Sequence, residues 1–212
     1  MTARQAKSPW EPGRRKRVTQ FSKKREAVLD TAAAMFRERG YDGVSLSEVA
    51  DKLNISKPTL YYYVQSKDDL LIQIKVRAQK EALDYMRAAS ASPGTAFEKL
   101  RSVMINYAIL MSSDYGACLL LVNYKNLSKE VDTGTEEGNK IIHALLKEGL
   151  KDGSLQYADS TVAFYALFGS LNWISFWFRT GNRLSAREMA ELQVDLLLNG
   201  VRGPAIAQGG DA

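Results

Sequence analysis

Residues 56–70, SKPTLYYYVQSKDDL, concentrate hydroxyl and ammonium groups in one short segment. Three consecutive tyrosines, Tyr61, Tyr62 and Tyr63, lie between two lysines. Neighbours on a helix point about 100° apart, so at most one or two of these rings can face a core. Packing of one ring beneath the following helix is an open alternative, but geometry disfavours it for all three. Phenol and ammonium groups donate hydrogen bonds to phosphate oxygens, so a polyanion would suit the exposed rings.

Two short helices joined by a tight turn are predicted to position this segment. The sequence SLSE at residues 45–48 is a capping box that opens a helix running to about Leu53. Ser56 then caps a second short helix that ends near Val64. Helices of this length are unstable alone, so they must pack on a longer helix, predicted at 22–39. The pattern indicates a helix-turn-helix, whose second helix enters the major groove of DNA.

The formal charge supports a polyanion partner. Residues 1–25 carry nine Lys or Arg and one Glu, whereas residues 71–212 carry 15 basic and 15 acidic residues. The net charge of +5 therefore belongs to the first third of the chain. A solvated arm is the alternative interpretation. A membrane-surface role is disfavoured because the basic run GRRKR has no apolar face.

The rest of the chain predicts helices and no strands. The helices are expected at 67–89, 95–112, 114–122, 130–150, 159–179 and 185–199. No segment shows the period-two alternation of a strand. The predicted fold class is all-α with about nine helices. The expected divisions are a basic flexible arm (1–21), a helix-turn-helix domain (22–66), a larger helical domain (67–203) and a disordered tail (204–212).

Composition argues against several classes of function. The only cysteine is Cys118 and the only histidine is His143, and no paired carboxylate motif accompanies them. An enzyme would need convergent acid, base or nucleophile groups, so catalysis is not expected. No metal site and no cofactor are expected either. Because no apolar run approaches the ~20 residues of a membrane span, we expect a soluble protein without a membrane partner.

The helix at 159–179 is apolar nearly all round and must therefore be buried on two sides. Packing against the last helix and against a second copy of the chain would satisfy this requirement. We accordingly predict a homodimer, with an interface that includes Val162, Ala166, Phe168, Gly169, Leu192 and Leu196.

The central helices carry many bulky or adaptable side chains that could line a pocket for a small, largely apolar molecule. Ordinary core packing is the alternative for each of them. The predicted ligand-binding residues are Met86, Met104, Tyr107, Met111, Tyr115, Leu120, Asn123, His143, Trp173 and Trp177.

The stretch AAAMFRERGYDGVSLSEVADKLNISKPTLYYYVQSKDDL, residues 32–70, resembles the DNA-binding domain of the TetR family of bacterial repressors. Shared features include Gly40-Tyr41, Thr59-Leu60-Tyr61 and Ser66-Lys67. The family's founding member has an arginine where this chain has Ser47. The operator of this chain therefore cannot be inferred from that protein. The resemblance and the residue chemistry together predict DNA contacts by Ser45, Ser47, Ser56, Lys57, Pro58, Thr59, Tyr61, Tyr62, Tyr63 and Lys67.

A second resemblance lies near the end of the chain. Asn172-Trp173, Trp177, Arg179 and Ser185 are similar to the end pattern of TetR-family regulators of fatty-acid and steroid catabolism. Several of those regulators respond to acyl-CoA thioesters, which implies an acyl-CoA or related effector. The same residues could instead serve a dimer interface, with Arg179 a solvated cation at a helix end.

Together these features predict a ligand-responsive transcriptional regulator, most simply a repressor, that binds a palindromic operator as a dimer. The resemblance implies a bacterial, cytoplasmic and nucleoid-associated protein. Ligand in the larger domain would tilt the helix at 67–89 and so change the separation of the two recognition helices. The alternative is an architectural protein that binds DNA without sequence preference and without an effector.

Overall fold

The computed structural model describes residues 17–121, 128–179, 181 and 183–200. Within these ranges the backbone forms ten helices and no strand, so the predicted all-α fold class is confirmed. Most of the predicted basic arm and all of the predicted tail lie outside the described residues. The helices are α1 (Arg17–Arg39), α2 (Leu46–Lys52), α3 (Lys57–Tyr61), α4 (Lys67–Ser90), α5 (Ala96–Met111), α6 (Asp114–Leu119), α7 (Lys129–Asp152), α8 (Ser160–Asn172), α9 (Ile174–Trp177) and α10 (Ala186–Asn199). No helix in this part of the chain has the length and hydrophobicity that a membrane span requires.

Hydroxyl side chains begin most of these helices by accepting hydrogen bonds from free backbone N–H groups. Ser45, Thr95 and Ser185 form complete capping boxes with the glutamate three residues later. Ser56 and Ser66 cap α3 and α4 without a capping box. Each side-chain oxygen accepts one hydrogen bond from the backbone N–H three residues later. All five start positions were predicted from the sequence, because capping is a local interaction.

The first helix begins at Arg17, five residues before the predicted start at residue 22. Phe21 lies in this additional stretch. Its ring packs on Tyr62 and Tyr63, with centroid distances of 5.7 and 5.2 Å. A tertiary contact therefore stabilises a helical start that has no local capping signal.

The predicted helix at 159–179 is interrupted. α8 ends at Asn172, and the single turn of α9 begins at Ile174. The Ser175 hydroxyl donates a hydrogen bond to the Asn172 carbonyl at 3.0 Å. Such bonds from serine to a preceding carbonyl bend helices and compete with the regular ladder. Of the aromatic residues after the break, Phe176 and Trp177 are exposed and Phe178 is buried.

Buried apolar residues form two cores. The first core is built by α1, α2, α3, the start of α4 and one residue of α6: Val28, Leu29, Ala32, Ala33, Phe36, Val44, Val49, Ala50, Leu60, Val64, Leu70, Leu71, Ile74 and Cys118. The second core is built by the later turns of α4 together with α5 and α7 to α10. Helix α4 thus contributes side chains to both.

Arg37 on α1 connects the two halves by hydrogen bonds. Its guanidinium donates to the carbonyl oxygens of Ser112 at 2.8 Å and Phe178 at 2.7 Å. It also pairs with the Asp114 carboxylate at 3.0 Å, although its own side chain is only 8% exposed. One buried cation therefore connects the end of α5, the start of α6 and the end of α9.

We expect Arg37→Ala to lower the free energy of unfolding by about 3 kcal/mol, because it strands buried carbonyl groups without a donor. Arg87 is the matched control, since its ion pair with Glu137 lies at the surface with 53% of the arginine side chain exposed. Arg87→Ala should cost less than about 1 kcal/mol. Urea denaturation followed by circular dichroism measures both, and equal losses would contradict the structural role of Arg37.

Candidate nucleic-acid interface and ligand cavity

The helix-turn-helix is formed by α2, a tight turn and α3, as the sequence predicts. Asn54 in the turn adopts a left-handed backbone with φ of 55°, a conformation that asparagine tolerates better than most residues. Leu60 and Val64 are buried in the first core. Their burial leaves the opposite side of α3 exposed to solvent.

Glu48 holds the start of α2 in place. One of its carboxylate oxygens accepts hydrogen bonds from the Ser45 backbone N–H at 2.8 Å and from the Ser45 hydroxyl at 2.7 Å. The other oxygen accepts from the Arg39 guanidinium at 2.6 Å. The hydrogen bond from Arg39, followed by those from Ser45, lowers the pKa of Glu48 to about 2. The loop before α2 is thereby tied to the end of α1.

The three tyrosines separate into one packed ring and two exposed rings. Tyr61 is 47% exposed and Tyr62 is 73% exposed. Tyr63 is half-buried and packs against the first core, and this burial raises the pKa of its phenol. Packing of a single ring was the alternative that the sequence left open. The phenols of Tyr61 and Tyr62 are the two available to a partner.

Lys57 and Pro58 are exposed in the first turn of α3. The Ser56 hydroxyl accepts a hydrogen bond from the Thr59 backbone N–H at 3.3 Å and lies 2.8 Å from the Thr59 hydroxyl. The ammonium group of Lys67 lies 4.2 Å from the centre of the Tyr41 ring. Five of the ten predicted DNA-contact residues line one shallow concavity between α2, α3 and α4: Ser45, Ser47, Lys57, Tyr61 and Lys67. Contact of the ten residues with DNA stays a prediction.

A cavity of about 330 Å³ lies among the helices of the larger half. Its lining residues come from α4, α5, the end of α6, α7 and α8. They are Gln79, Ala82, Leu83, Met86, Tyr107, Leu119, Leu120, Val131, Gly134, Thr135, Gly138, Asn139, Ile142, Phe164, Tyr165, Phe168, Gly169 and Asn172. The volume is at the small end of the range for ligand pockets.

Three of the predicted ligand residues, Met86, Tyr107 and Leu120, line this cavity. Met104 and Met111 are fully buried in the second core and do not line it. The helical period assigned them to the interior but could not separate the cavity wall from close-packed core.

Four other predicted ligand residues also lie away from the cavity wall. Trp173 and Trp177 are 63% and 48% exposed. His143 is exposed, and its ring stacks on Phe164 at 4.8 Å. The Tyr115 hydroxyl donates to Asp30 at 2.6 Å, at the junction of α6 with α1. Asn123 lies outside the described residues.

The cavity wall contains a hydrogen-bonded pair, of which Tyr107 but not Asn172 was among the predicted ligand-binding residues. The Tyr107 hydroxyl donates to the side-chain oxygen of Asn172 at 2.7 Å. Burial raises the pKa of Tyr107 to about 12, so the phenol is protonated at neutral pH. In the sequence, Asn172 belongs to the pattern that resembles regulators of fatty-acid and steroid catabolism. It is the last residue of α8 and lines the cavity together with Phe168, one helical turn earlier.

An exposed apolar face covers the outer side of α8, α9 and α10. It consists of Val162, Tyr165, Trp173, Phe176, Trp177, Leu192 and Leu196. The Gln193 amide donates to the backbone and side-chain oxygens of Ser170, both at 3.2 Å, and so holds α10 beside α8.

Five of the six residues predicted for a dimer interface are exposed on these helices: Val162, Ala166, Gly169, Leu192 and Leu196. Phe168 does not belong to the face, because it is 4% exposed and lines the cavity. Arg179 donates to the carbonyl oxygens of Phe178 at 2.8 Å and Ser175 at 3.3 Å, as a cation at a helix end can.

The helix-turn-helix beside a cavity-bearing helical half defines a DNA-binding transcription regulator. Residues 28–74 match the family of bacterial regulatory proteins named tetR. Residues 93–201 match the tetracyclin repressor-like C-terminal domain. The chain belongs to the TetR family.

Two curated relatives match most of the chain. The fatty acid metabolism regulator protein of Bacillus subtilis is 22% identical over 82% of this chain and 93% of its own length. The transcriptional repressor KstR2 of Mycolicibacterium smegmatis is 23% identical over 86% of this chain and 93% of its own length. Both names describe regulators.

Solved structures show the same fold. The TetR-family regulator PfmR of Thermus thermophilus is 28% identical, with a TM-score of 0.72 over 83% of this chain and 99% of its own. AibR, solved with isovaleryl coenzyme A and operator DNA, is 24% identical, with a TM-score of 0.70 over 82% of this chain and 97% of its own. FadR of Bacillus subtilis, solved with stearoyl-CoA, is 21% identical, with a TM-score of 0.65 over 84% of this chain and 99% of its own. The last two likenesses establish the fold only.

We expect the stability contributed by Glu48 to depend on pH. A carboxyl group with a lowered folded-state pKa stabilises the fold above its ordinary pKa of 4.5, and this contribution is lost as the pH falls towards about 2. Glu48→Gln should therefore lower the urea midpoint at pH 7 and have a smaller effect at pH 3, because part of the contribution is already lost there. Glu136→Gln, at an exposed position on α7, is the control. If Glu48→Gln lowers the urea midpoint by the same amount at both pH values, the stabilising role of the ionised Glu48 carboxylate is refuted.

Proposed function

We propose that the chain is a homodimeric repressor that binds a palindromic operator and is released from it by a small, largely apolar effector. The helix-turn-helix domain, 22–66, reads DNA, and the larger domain, 67–203, binds the effector and dimerises. The observation that carries the proposal is the course of α4. This helix begins at Lys67, beside the exposed side of α3, and lines the cavity with Gln79, Leu83 and Met86.

DNA reading by two copies follows from the size of one recognition helix. A single helix of this kind reads only a few base pairs, so specific binding generally requires two copies about 34 Å apart on the duplex. In this proposal Lys57 donates to guanine in the major groove, and Tyr62 donates to a phosphate. The high exposure of both side chains is consistent with these contacts.

The exposed apolar face supports dimerisation. Its residues include two tryptophans and a phenylalanine with roughly half or more of their surface in contact with water. Trp173 and Phe176 pack on one another at 4.8 Å, and exposed apolar clusters of this kind often mark interaction sites. A second copy of the same face would cover it, because a two-fold axis brings a patch against itself.

The effector is proposed to be an acyl-CoA or a related catabolic intermediate. The cavity wall is mainly aliphatic and aromatic and would accept an acyl chain. Its volume accommodates only the acyl part, so the nucleotide part of coenzyme A would lie outside. Structures of the same fold with isovaleryl coenzyme A and stearoyl-CoA support this class.

In this proposal the effector releases the protein from DNA because it binds the protein more tightly in one position of α4 than in the other. To change operator occupancy substantially, the effector must bind the released arrangement several kcal/mol more tightly, about 5 kcal/mol for an almost complete switch. An effector that contacts Leu83 and Met86 acts directly on α4, and a tilt of this helix would change the separation of the two reading heads.

Selection of the purified protein on random DNA duplexes at near-physiological salt tests the DNA-reading part. We expect enrichment of a palindrome with half-sites about one helical turn apart, because two symmetric reading heads impose that spacing. Enrichment of no sequence, together with a steep salt dependence, would instead indicate architectural binding without sequence preference.

A pair of lysine variants sharpens this test. Lys57→Ala should weaken operator binding about tenfold and relax the preference at one position of each half-site, as expected for loss of one base contact. Lys80→Ala removes the same charge from an exposed position on α4, away from the helix-turn-helix, and should leave the preference unchanged.

The dimer is tested by Leu196→Glu, which places a charge on the exposed apolar face. We expect light scattering to report a monomer, and palindrome binding to fall while the helical content stays constant. Leu150→Glu is the matched control, since Leu150 is 48% exposed on α7, outside this face. A Leu196→Glu protein that remains dimeric would show that the interface lies elsewhere.

A further inference from the structure

The pair formed by Tyr107 and Asn172 is a polar spot in a mainly apolar part of the cavity. Phe168 packs on Tyr107 with a centroid distance of 5.5 Å, and Met86 and Ile142 are among the other lining residues. Hydrogen bonding holds the pair, since the phenol donates to the Asn172 oxygen at 2.7 Å. Polar groups of this kind fix the orientation of a ligand inside an apolar pocket.

The pair has more donors than it uses. A phenol has one O–H and a carboxamide has two N–H hydrogens, but the bond between them consumes one. The Asn172 amide nitrogen has no hydrogen-bond partner within the described part of the chain. Asn172 is partly buried and lines the cavity, so this N–H is available to a ligand that brings an acceptor oxygen, and an apolar ligand that covered it would leave it unsatisfied.

The surroundings favour an uncharged acceptor. None of the lining residues within the described part of the chain is charged. Burial opposes the phenolate and raises the pKa of Tyr107. The same desolvation would penalise a carboxylate placed beside the phenol.

We propose that Asn172, positioned by Tyr107, binds the carbonyl oxygen of an uncharged acyl compound, an ester or thioester, and that the corresponding free carboxylate is rejected. This inference rests on the proposed function in that the cavity is the effector site. It adds the chemical group by which the effector is recognised.

Two pairs of probes isolate the carbonyl oxygen. Hexanoyl-CoA is compared with its thioether S-hexyl-CoA, and methyl hexanoate is compared with hexyl methyl ether. Each pair differs in the carbonyl group while keeping chain length. Hexanoate supplies the charged form, and calorimetric titration of the full chain measures all five affinities.

We expect each carbonyl compound to bind roughly tenfold more tightly than its carbonyl-free partner, as for one buried hydrogen bond to an otherwise unsatisfied donor. Hexanoate should bind no better than the ether. If the ester pair shows the difference and neither CoA compound binds, the carbonyl site stands and the acyl-CoA effector class is wrong. Equal affinities within both pairs, binding of hexanoate as tight as that of the ester, or no binding by any carbonyl probe would overturn the inference.

Variants of Tyr107 and Asn172 test whether these two residues cause the difference in affinity between the carbonyl and carbonyl-free probes. Asn172→Leu should abolish the difference within each probe pair, and Tyr107→Phe should reduce it while keeping the ring. Asn106→Leu is the matched control, because Asn106 donates to the Ser102 carbonyl at 2.9 Å and does not line the cavity. A difference that survives in Asn172→Leu and Tyr107→Phe would place the recognising group elsewhere.

Discussion

Burial of one helix in two cores is the constraint on which the architecture depends. Leu70 and Ile74 on α4 pack into the first core, and Ala82 and Met86 pack into the second. The 24 residues of α4 span about 36 Å, so the helix runs from the nucleic-acid interface past the cavity. Protein interiors are closely packed, and a helix held at both ends moves as a unit rather than bending freely. Packing on this one helix therefore joins the two halves.

Helix α6 provides a second connection at the middle of α4. Cys118 is buried in the first core, whereas Leu119 and Leu120 line the cavity. The buried ammonium of Lys75 on α4 donates to the Leu119 carbonyl at 3.2 Å, at the end of α6 where carbonyl groups lack helical partners. Burial lowers the pKa of Lys75, and the carbonyl partially compensates for the lost hydration. A ligand against Leu119 thus contacts a segment bonded directly to α4.

The helix-turn-helix could be predicted from the sequence because its determinants are local. Capping by Ser45 and Ser56 involves neighbours three residues away, and the spacing of Leu60 and Val64 identifies the buried side of α3. The early start of α1 could not be predicted, because it depends on contact between Phe21 and rings about forty residues later. Tyr63 is the packed ring because it also lies against the first core, whereas Tyr62 contacts Phe21 and stays exposed.

The cavity was only partly predictable because α8 is apolar on all sides. A helix without a polar stripe has no periodic pattern from which to assign its two faces. Phe168 therefore appeared to belong to the outer face, and Trp173 to the pocket. In the structure both tryptophans are exposed, Trp173 at the break itself and Trp177 beyond it. Gly169 both lines the cavity and is exposed, so a single helix about 10 Å across separates any bound molecule from the outer face. A molecule in the cavity would therefore contact the same helix that carries the exposed face.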